Sequence, residues 1–514
     1  MLKKLLSLLS DALVYGSSTI LAQLINFLLL PLYTQYLTPQ DYGVVAMLAI
    51  VSLVYVPIAN LGMSNAIFRR FNLVKDEAER LQVLGVGLVT VVGATLIFGA
   101  ICLAASRPLG IALMGERGFG HLVAITVVYA MLESVTAIPM AALRADRRVK
   151  AVAVASLGKL LVMILVTVLL VAVVQLGVLG VVLGNLIGGA VGLALFVAFT
   201  HRQMRPAFDR ALWRAMLKYG APFVPHQIQA VGLVMVGQYI VRRDLGLHDA
   251  GLFNIALKFA LPLAFVIDAV QKAWVPFKFQ IHGREENPAA FFRTAITYYT
   301  VAMAYLWVGV AAWGPELLRL MTEAQFHTAT LLVAAVATIS MCRGMRFMLT
   351  TGMEFNDDMR AVPVITFVGL AVVIAGCLLL VPLWGASGAA MGTAAGWCVM
   401  AALGYMVAQR KYRVVYQWPI VAGCLLVAAG MVSITYASQL FLDLPGRLAV
   451  ALAVSIVYPT IALAILCTST EDRHRVTRTL RRLRSRLLAR GDAKASPPAL
   501  DDAAVQSNVP PELN

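Results

Sequence analysis

Charge is scarce in this sequence, and negative charge is scarcest. Asp, Glu, Lys and Arg make up 13% of the 514 residues, where a soluble domain carries about 25%. There are 26 acidic residues against 42 Lys and Arg. A water-soluble globule of this length is excluded, because too few charges remain to cover its surface. The six cysteines (Cys102, Cys342, Cys377, Cys398, Cys424 and Cys467) sit at scattered spacings in apolar segments. That excludes a disulfide framework or a cysteine metal site and leaves them as small apolar fillers. Neither a nucleophile–base constellation nor a metal-ligand cluster can be found, so cofactors are expected to be none. The opening MLKKLLSLLSDALVYGSS has a charged tip, but no small-residue cleavage pattern follows it. It reads as the start of a first spanning helix, not as a removed signal.

What fills the chain instead is apolar sequence. Hydrophobic residues reach 60% and mean hydropathy is +0.81. Runs long enough to cross a bilayer, about 20 residues each, recur from residue 12 to residue 468. They predict an all-α integral membrane protein with about 14 transmembrane helices. Alternate loops differ sharply in charge. One set, which includes Lys3, Arg69, Arg70, Arg144, Arg210, Arg214, Lys218 and Arg410, carries 22 Lys and Arg, and the other carries six. Basic loops stay on the cytoplasmic side, so both termini are expected there. The net charge of +16 then follows from topology, and no nucleic-acid partner is needed. The stretch EDRHRVTRTLRRLRSRLLAR after Thr470 reads as a basic helix resting on membrane lipid. Residues 491–514 read as disordered.

Two loops raise the question of a repeat. Residues 37–46 read LTPQDYGVVA and residues 245–254 read LGLHDAGLFN, placing Asp41 and Gly43 208 positions before Asp249 and Gly251. Gly180, Gly184 and Gly188 recur at the same offset as Gly388, Gly392 and Gly396, a spacing that lets helix backbones approach closely. Tyr15-Gly16 and Gln23 match Tyr219-Gly220 and Gln227 at an offset of 204, and AIFRRF (66–71) matches WVPFKF (274–279). The expected organisation is two parallel six-helix lobes plus an appended helix pair. The boundaries are an N-lobe over 1–205, a C-lobe over 206–412, helices 13–14 over 413–470, and a tail over 471–514. Parallel repeats of this kind place the site at the lobe interface. Asp41 and Asp249 read as caps of the helices that follow them, with an outer-gate role as the alternative.

Ionisable groups inside a membrane cost about 3 kcal/mol each and mark candidate sites. They are Glu133 in helix 4, Lys159 in helix 5, Lys258, Asp268 and Lys272 in helix 8, and Arg343 and Arg346 in helix 10. On a straight helix Lys258, Asp268 and Lys272 share one face. Asp268 and Lys272, four apart, either neutralise each other or line a cavity. Arg343, Arg346 and Arg144 are either topology anchors or a vestibule for an anionic, phosphorylated head group. Asp268 and Glu133 could balance charge or couple an ion. Helix 1 carries the polar stripe Thr19, Gln23 and Asn26; helix 7 carries His226, Gln227 and Gln229 beside Pro222 and Pro225. These groups are interhelix glue or hydrogen-bonding partners for sugar hydroxyls, and the prolines mark a bend.

The stretch from Gly16 to Phe71, with its LTPQDYG loop and LGMSNAIFRRF ending, resembles Wzx-type polysaccharide flippases. These belong to the multidrug/oligosaccharidyl-lipid/polysaccharide (MOP) exporter superfamily, which also contains the MATE transporters. Fourteen spans and two lobes match that family over residues 1–470. The resemblance implies a multi-pass protein of the bacterial inner membrane. It would carry undecaprenyl-pyrophosphate-linked oligosaccharide to the periplasmic face for O-antigen, capsule or exopolysaccharide; a proton or sodium gradient, acting through Asp268 or Glu133, and the membrane potential are the alternative drivers. Partners implied are the lipid-linked oligosaccharide, membrane lipids, and polysaccharide polymerase with chain-length machinery. The cavity residues that could hold pyrophosphate are Arg144, Lys258, Lys272, Arg343 and Arg346. A MATE-like drug or organic-cation antiporter is disfavoured, because the intramembrane charges are five basic to two acidic and repel cations. A polymerase or ligase is disfavoured by short outer loops near 106–120 and 315–327.

Overall fold

The structure, a computed structural model, describes residues 27–74, 76–204, 206–284, 288–355 and 361–467. Its regular elements are helices. In chain order they are α1 (Leu30–Tyr36), α2 (Pro39–Asn60), α3 (Met63–Leu73), α4 (Glu77–Ala104), α5 (Ser106–Met114) and α6 (Gly120–Ala145). Next come α7 (Val149–Val168), α8 (Val178–Thr200), α9 (Arg210–Gly220), α10 (Phe223–Leu245), α11 (Leu247–Phe259) and α12 (Leu261–Arg284). The last are α13 (Pro288–Met321), α14 (Thr330–Leu349), α15 (Ala361–Lys411), α16 (Trp418–Phe441) and α17 (Leu444–Leu466). By packing, residues 1–458 form one unit and residues 459–514 a second. Of the second unit, the described part is the end of α17 and Cys467; the expected basic tail helix and disordered end lie outside the described residues.

Ten of the described helical segments are long and apolar enough to cross a bilayer, and eleven if α11 and α12 count as one bent span. The chain is therefore a multi-pass membrane protein. Most of the first expected span, 12–36, lies outside the described residues. Several long apolar runs break where backbone chemistry requires it. The run expected as one helix over 43–68 stops at Asn60, where Leu61 (φ 51) and Gly62 (φ 70) turn left-handed. The α11–α12 span bends by 48°, next to Pro262, whose ring disfavours helix at the residue before it. At Pro222 and Pro225 the helical run expected from residue 219 is interrupted, α9 ending at Gly220 and α10 starting at Phe223. Pro222 is the N-cap of α10, so both prolines lie at its start, where a missing N–H costs nothing.

Two joins carry the 208-residue offset into the backbone. Gly177 (φ 55, ψ −131) precedes α8, and Gly385 (φ 59, ψ −143) interrupts the 51-residue α15. Only glycine adopts such angles freely. The glycine stripes then do the same job in both places. On α8, a Cβ added at Gly188 would meet Met163 of α7 at 2.5 Å, and Gly184 packs on Thr167. On the second half of α15, a Cβ at Gly392 would meet Cys377 N at 2.6 Å, and Gly388 and Gly396 pack on Leu380 and Val373.

Packing separates two groups of helices. In the first, α2 and α4 pack on α6, and α8 packs on α6 and α7. In the second, α10 and α14 pack on α15, and α13 packs on α14 and α16. The groups meet where α2 lies along α11 and α10. Glu316 near the end of α13 ties in the last two helices: Arg319 donates to it at 2.8 Å, Gln439 of α16 at 3.2 Å, and Arg447 of α17 pairs with it at 3.2 Å.

Candidate functional site

The seam between the two groups is built on glycine. A Cβ on Gly43 would strike the carbonyl oxygen of Leu247, and a Cβ on Gly251 would strike that of Pro39. Pro39 and Leu247 are themselves 208 residues apart. The contact is reciprocal, each motif resting on the other's first helical residue, as at a twofold interface. Asp41 holds its strand of the seam in place. Thr38 opens α2 as a capping box, its N–H and hydroxyl donating to Asp41 at 2.9 and 2.8 Å while Asp41 N–H donates back at 3.2 Å. Asp249 lies in the first turn of α11 without a side-chain cap bond, so of the two expected caps only Asp41 makes one.

The same end of the seam is covered further by Arg242 of α10. It is 8% exposed, and its Nη2, which lacks a hydrogen-bond partner, packs on Gly115 after α5. At the other end of α2, Gly62 and Gly220 press backbone on backbone; a Cβ on Gly220 would lie 2.8 Å from Gly62 O. Close glycine contacts thus lie near both ends of α2.

Lys258 reaches the seam through Tyr42 of α2, while Asp268 and Lys272 lie on α12 and Arg343 and Arg346 on α14. Asp268 accepts a hydrogen bond from Arg343 Nη2, and Lys272 is exposed one turn further on. Of the two alternatives for Asp268, pairing with Lys272 is not the one formed; its partner is Arg343, across from α12 to α14. The bend near Ala260 also takes Lys258 off the helix that carries Asp268, so the three do not share one straight face. The Arg343 and Asp268 side chains remain 34% and 48% exposed. Lys258 is half-buried at the seam, its Nζ 4.9 Å from the centre of the Tyr42 ring. Tyr42 stands between Asp41 and Gly43, 2% exposed, with a hydroxyl that has no partner. Arg346 is half-buried with its guanidinium 5.6 Å from the Trp397 ring, and its buried Nε lacks a hydrogen-bond partner.

Glu133 and Lys159 leave the seam altogether. Lys159 Nζ donates to Glu133 at 2.5 Å, inside the first helix group, with Tyr129 5.9 Å away and Gly192 giving room to the lysine stem. This is a structural pair. Glu133→Gln is expected to lower thermal stability by up to about 3 kcal/mol, since it strands a charge. The double variant Glu133→Gln with Lys159→Met should recover most of the loss in a detergent melting assay. Arg144 is exposed at the end of α6, and Gln227 is half-buried on α10. Gln229, two residues on, is 4% exposed with an unpartnered Oε1. Gln23 and Asn26 lie outside the described residues.

Beside the arginines runs an apolar groove of about 560 Å³ between α13, α14, α15 and α16, lined by Trp307, Met345, Leu349, Tyr405, Trp418 and Leu426. Cys342 and Cys398 meet in its wall with sulfurs 3.2 Å apart. Their sequence spacing of 56 residues gave no hint of this.

The profile of the family described as polysaccharide biosynthesis protein matches residues 34–331. The chain belongs to that family. No curated protein matches the chain. Its fold is shared with the lipid II flippase MurJ in an inward closed conformation, at 12% identity and a TM-score of 0.68, over 90% of this chain and 99% of that one. It is also shared with an inward-facing multidrug resistance MATE transporter of the MOP superfamily, at 15% identity and 0.60, over 76% and 94%. A MOP superfamily transporter from Pyrococcus furiosus, described as having a binding pocket of reverse polarity, matches at 14% identity and 0.54, over 78% and 93%. The fold is thus that of the MOP superfamily.

Sequence reasoning missed Tyr42 and Trp397, the rings that receive Lys258 and Arg346. Tyr42 could have been found, since it is the middle residue of the repeated Asp-x-Gly motif. Trp397 could not, because 51 residues separate it from Arg346.

Proposed function

We propose that this protein is a flippase for polyprenyl-pyrophosphate-linked oligosaccharide. It would take repeat units from the cytoplasmic to the periplasmic face of a bacterial inner membrane, with both termini cytoplasmic, and hand them to a polymerase. The observation that carries the reading is the surplus of cations on the membrane helices of the second group and at the seam. Arg346 and Lys258 have aromatic neighbours in place of carboxylates, in a family devoted to polysaccharide synthesis. A phosphorylated head group supplies the missing anions, and guanidinium groups receive phosphate bidentately. The apolar groove adjoining α14 suits a prenyl tail. The N-lobe and C-lobe rock about the glycine seam, which opens at one end at a time.

Arg343 gives the cycle a switch. Phosphate competes with Asp268 for it, and a displaced Asp268 can take a proton or a sodium ion; restoring the pair expels the phosphate. Glu133, already matched by Lys159, stays outside the cycle. A drug or organic-cation antiporter shares the fold, but the uncompensated cations oppose that cargo.

The test is the sidedness of lipid-linked sugar in cells depleted of the protein, read with a periplasmic glycosidase that reaches only exposed units. Accumulation on the cytoplasmic face supports translocation. Normal exposure with stalled chain growth would instead indicate a polymerase.

A further inference from the structure

At the Lys/Arg-rich end of the molecule a second cationic site lies away from the arginines of α14. Between α3 and α9 opens a cavity of about 240 Å³ lined by Ala66, Arg69, Arg70, Ala215, Met216 and Tyr219, with Leu73 at its edge. The Arg69 guanidinium stacks 4.4 Å from the Tyr219 ring centre. Neither Arg69 nor Arg70 has a carboxylate partner among the described residues, and the acid at the start of α9 is already engaged. Asp209 caps α9 by accepting from Ala211 N and Leu212 N at 2.7 and 3.0 Å, and from Gln82 at 3.3 Å. The exposed acids Asp76, Glu77 and Glu79 open α4 and do not line the cavity.

The shape of α9 sets this cavity at a membrane surface. Leu212, Met216 and Gly220 are buried at a spacing of four, the first two in the core formed with Met63, Ile67, Phe71 and Leu84. Arg210, Arg214 and Lys218 repeat at the same spacing on the exposed side. A helix with one apolar and one basic face lies in the interface and attracts anionic lipid. The sequence repeat isolates the feature further. At the 208-residue offset Arg69 becomes Phe277 and Arg70 becomes Lys278, and Lys278 is fully buried. The first copy alone presents two open guanidinium groups here. The site also adjoins the Gly62–Gly220 contact, where α9 leads into α10.

We infer that Arg69, Arg70 and Tyr219 form a binding site for the phosphate of an anionic membrane phospholipid, wedged between α3 and the linker helix α9. This assignment does not depend on the transported substrate. A lipid seated there holds α9 against α3 and so favours the closed Gly62–Gly220 contact.

Native mass spectrometry of the purified full chain with equal phosphatidylglycerol and phosphatidylcholine tests it. The wild-type chain retains phosphatidylglycerol preferentially. Arg69→Gln with Arg70→Gln lowers that preference about 30-fold, the equivalent of about 1 kcal/mol per arginine. Ala215→Trp, which fills the cavity and keeps every charge, lowers it too and serves if the arginine variant does not fold. Arg210→Gln with Arg214→Gln removes as much charge from outside the cavity and leaves most of the preference. An equal loss in all three variants would reduce the effect to diffuse surface attraction and overturn the site. So would equal retention of the two lipids by the wild type. Stabilisation by inorganic pyrophosphate alone, abolished by the Arg69→Gln and Arg70→Gln pair, would assign the cavity to a soluble or substrate phosphate instead.

Discussion

Arg343→Gln combined with Arg346→Gln abolishes polysaccharide export while the protein stays inserted and abundant. The two arginines stand one turn apart on α14, and neither fits a purely structural role. Arg346 keeps a buried Nε without a hydrogen bond and has only the Trp397 ring for company. A guanidinium held this way costs about 3 kcal/mol in a membrane, so its removal should not harm folding. Arg343 does have a partner, but both side chains of the pair stay partly exposed, and Asp268 tolerates being alone at 48% exposure. Two charge-assisted hydrogen bonds to phosphate at about 1.5–3 kcal/mol each translate into a loss of export of about 100-fold or more. Export is read as surface polysaccharide per unit of membrane protein. Loss of the protein itself would make the arginines topology anchors, and undiminished export would remove them from the site.

The second large effect is expected at the glycine seam. Gly43→Ala places a methyl group against the carbonyl of Leu247, and Gly251→Ala places one against the carbonyl of Pro39. Backbone atoms cannot rotate away as a side chain would, so the seam must part. Overpacking of this sort costs about 1–3 kcal/mol, which shifts a two-state equilibrium about 5- to 150-fold towards the state open at that end. In a chain whose native cysteines have been replaced, a cysteine at Ala46, 1% exposed in the closed seam, reports it. A membrane-impermeant maleimide should label that cysteine far faster in either glycine variant, and export should fall at least about tenfold. Gly93→Ala is the control, since a Cβ there meets nothing within 4 Å. Unchanged labelling in the seam variants would mean that this contact is not a gate.

Much of this architecture is legible in the sequence because membranes simplify the code. Apolar length marks the helices, and glycine marks where they touch. The Asp-x-Gly motifs announce a repeat, yet nothing in one dimension says that the two copies rest on each other. Their reciprocity appears only when Pro39 meets Gly251 and Leu247 meets Gly43. Breaks inside apolar runs are harder to read. Leu61 gives no warning of its left-handed turn, and Gly385 looks like any other membrane glycine until its 208-residue match to Gly177 is noticed. Pairing is hardest of all. Helical arithmetic offers Asp268 only Lys272 as a partner because it sees only one straight helix, whereas the approach of α14 gives Asp268 to Arg343, 75 residues away. The same limit hid the meeting of Cys342 with Cys398. Glu133 and Lys159 were each recognised as intramembrane charges, but their mutual neutralisation depends on how α6 and α7 pack.

The central claim, that this chain moves a phosphate-headed lipid across a membrane, is tested most directly with purified protein in sealed vesicles. Undecaprenyl-pyrophosphate-linked oligosaccharide is placed in the inner leaflet, and an external glycosidase reports its arrival outside. Vesicles containing the wild-type chain should expose the sugar within minutes, and those with the Arg343→Gln and Arg346→Gln variant should resemble protein-free vesicles. Equal rates with wild type, variant and empty vesicles would contradict the account.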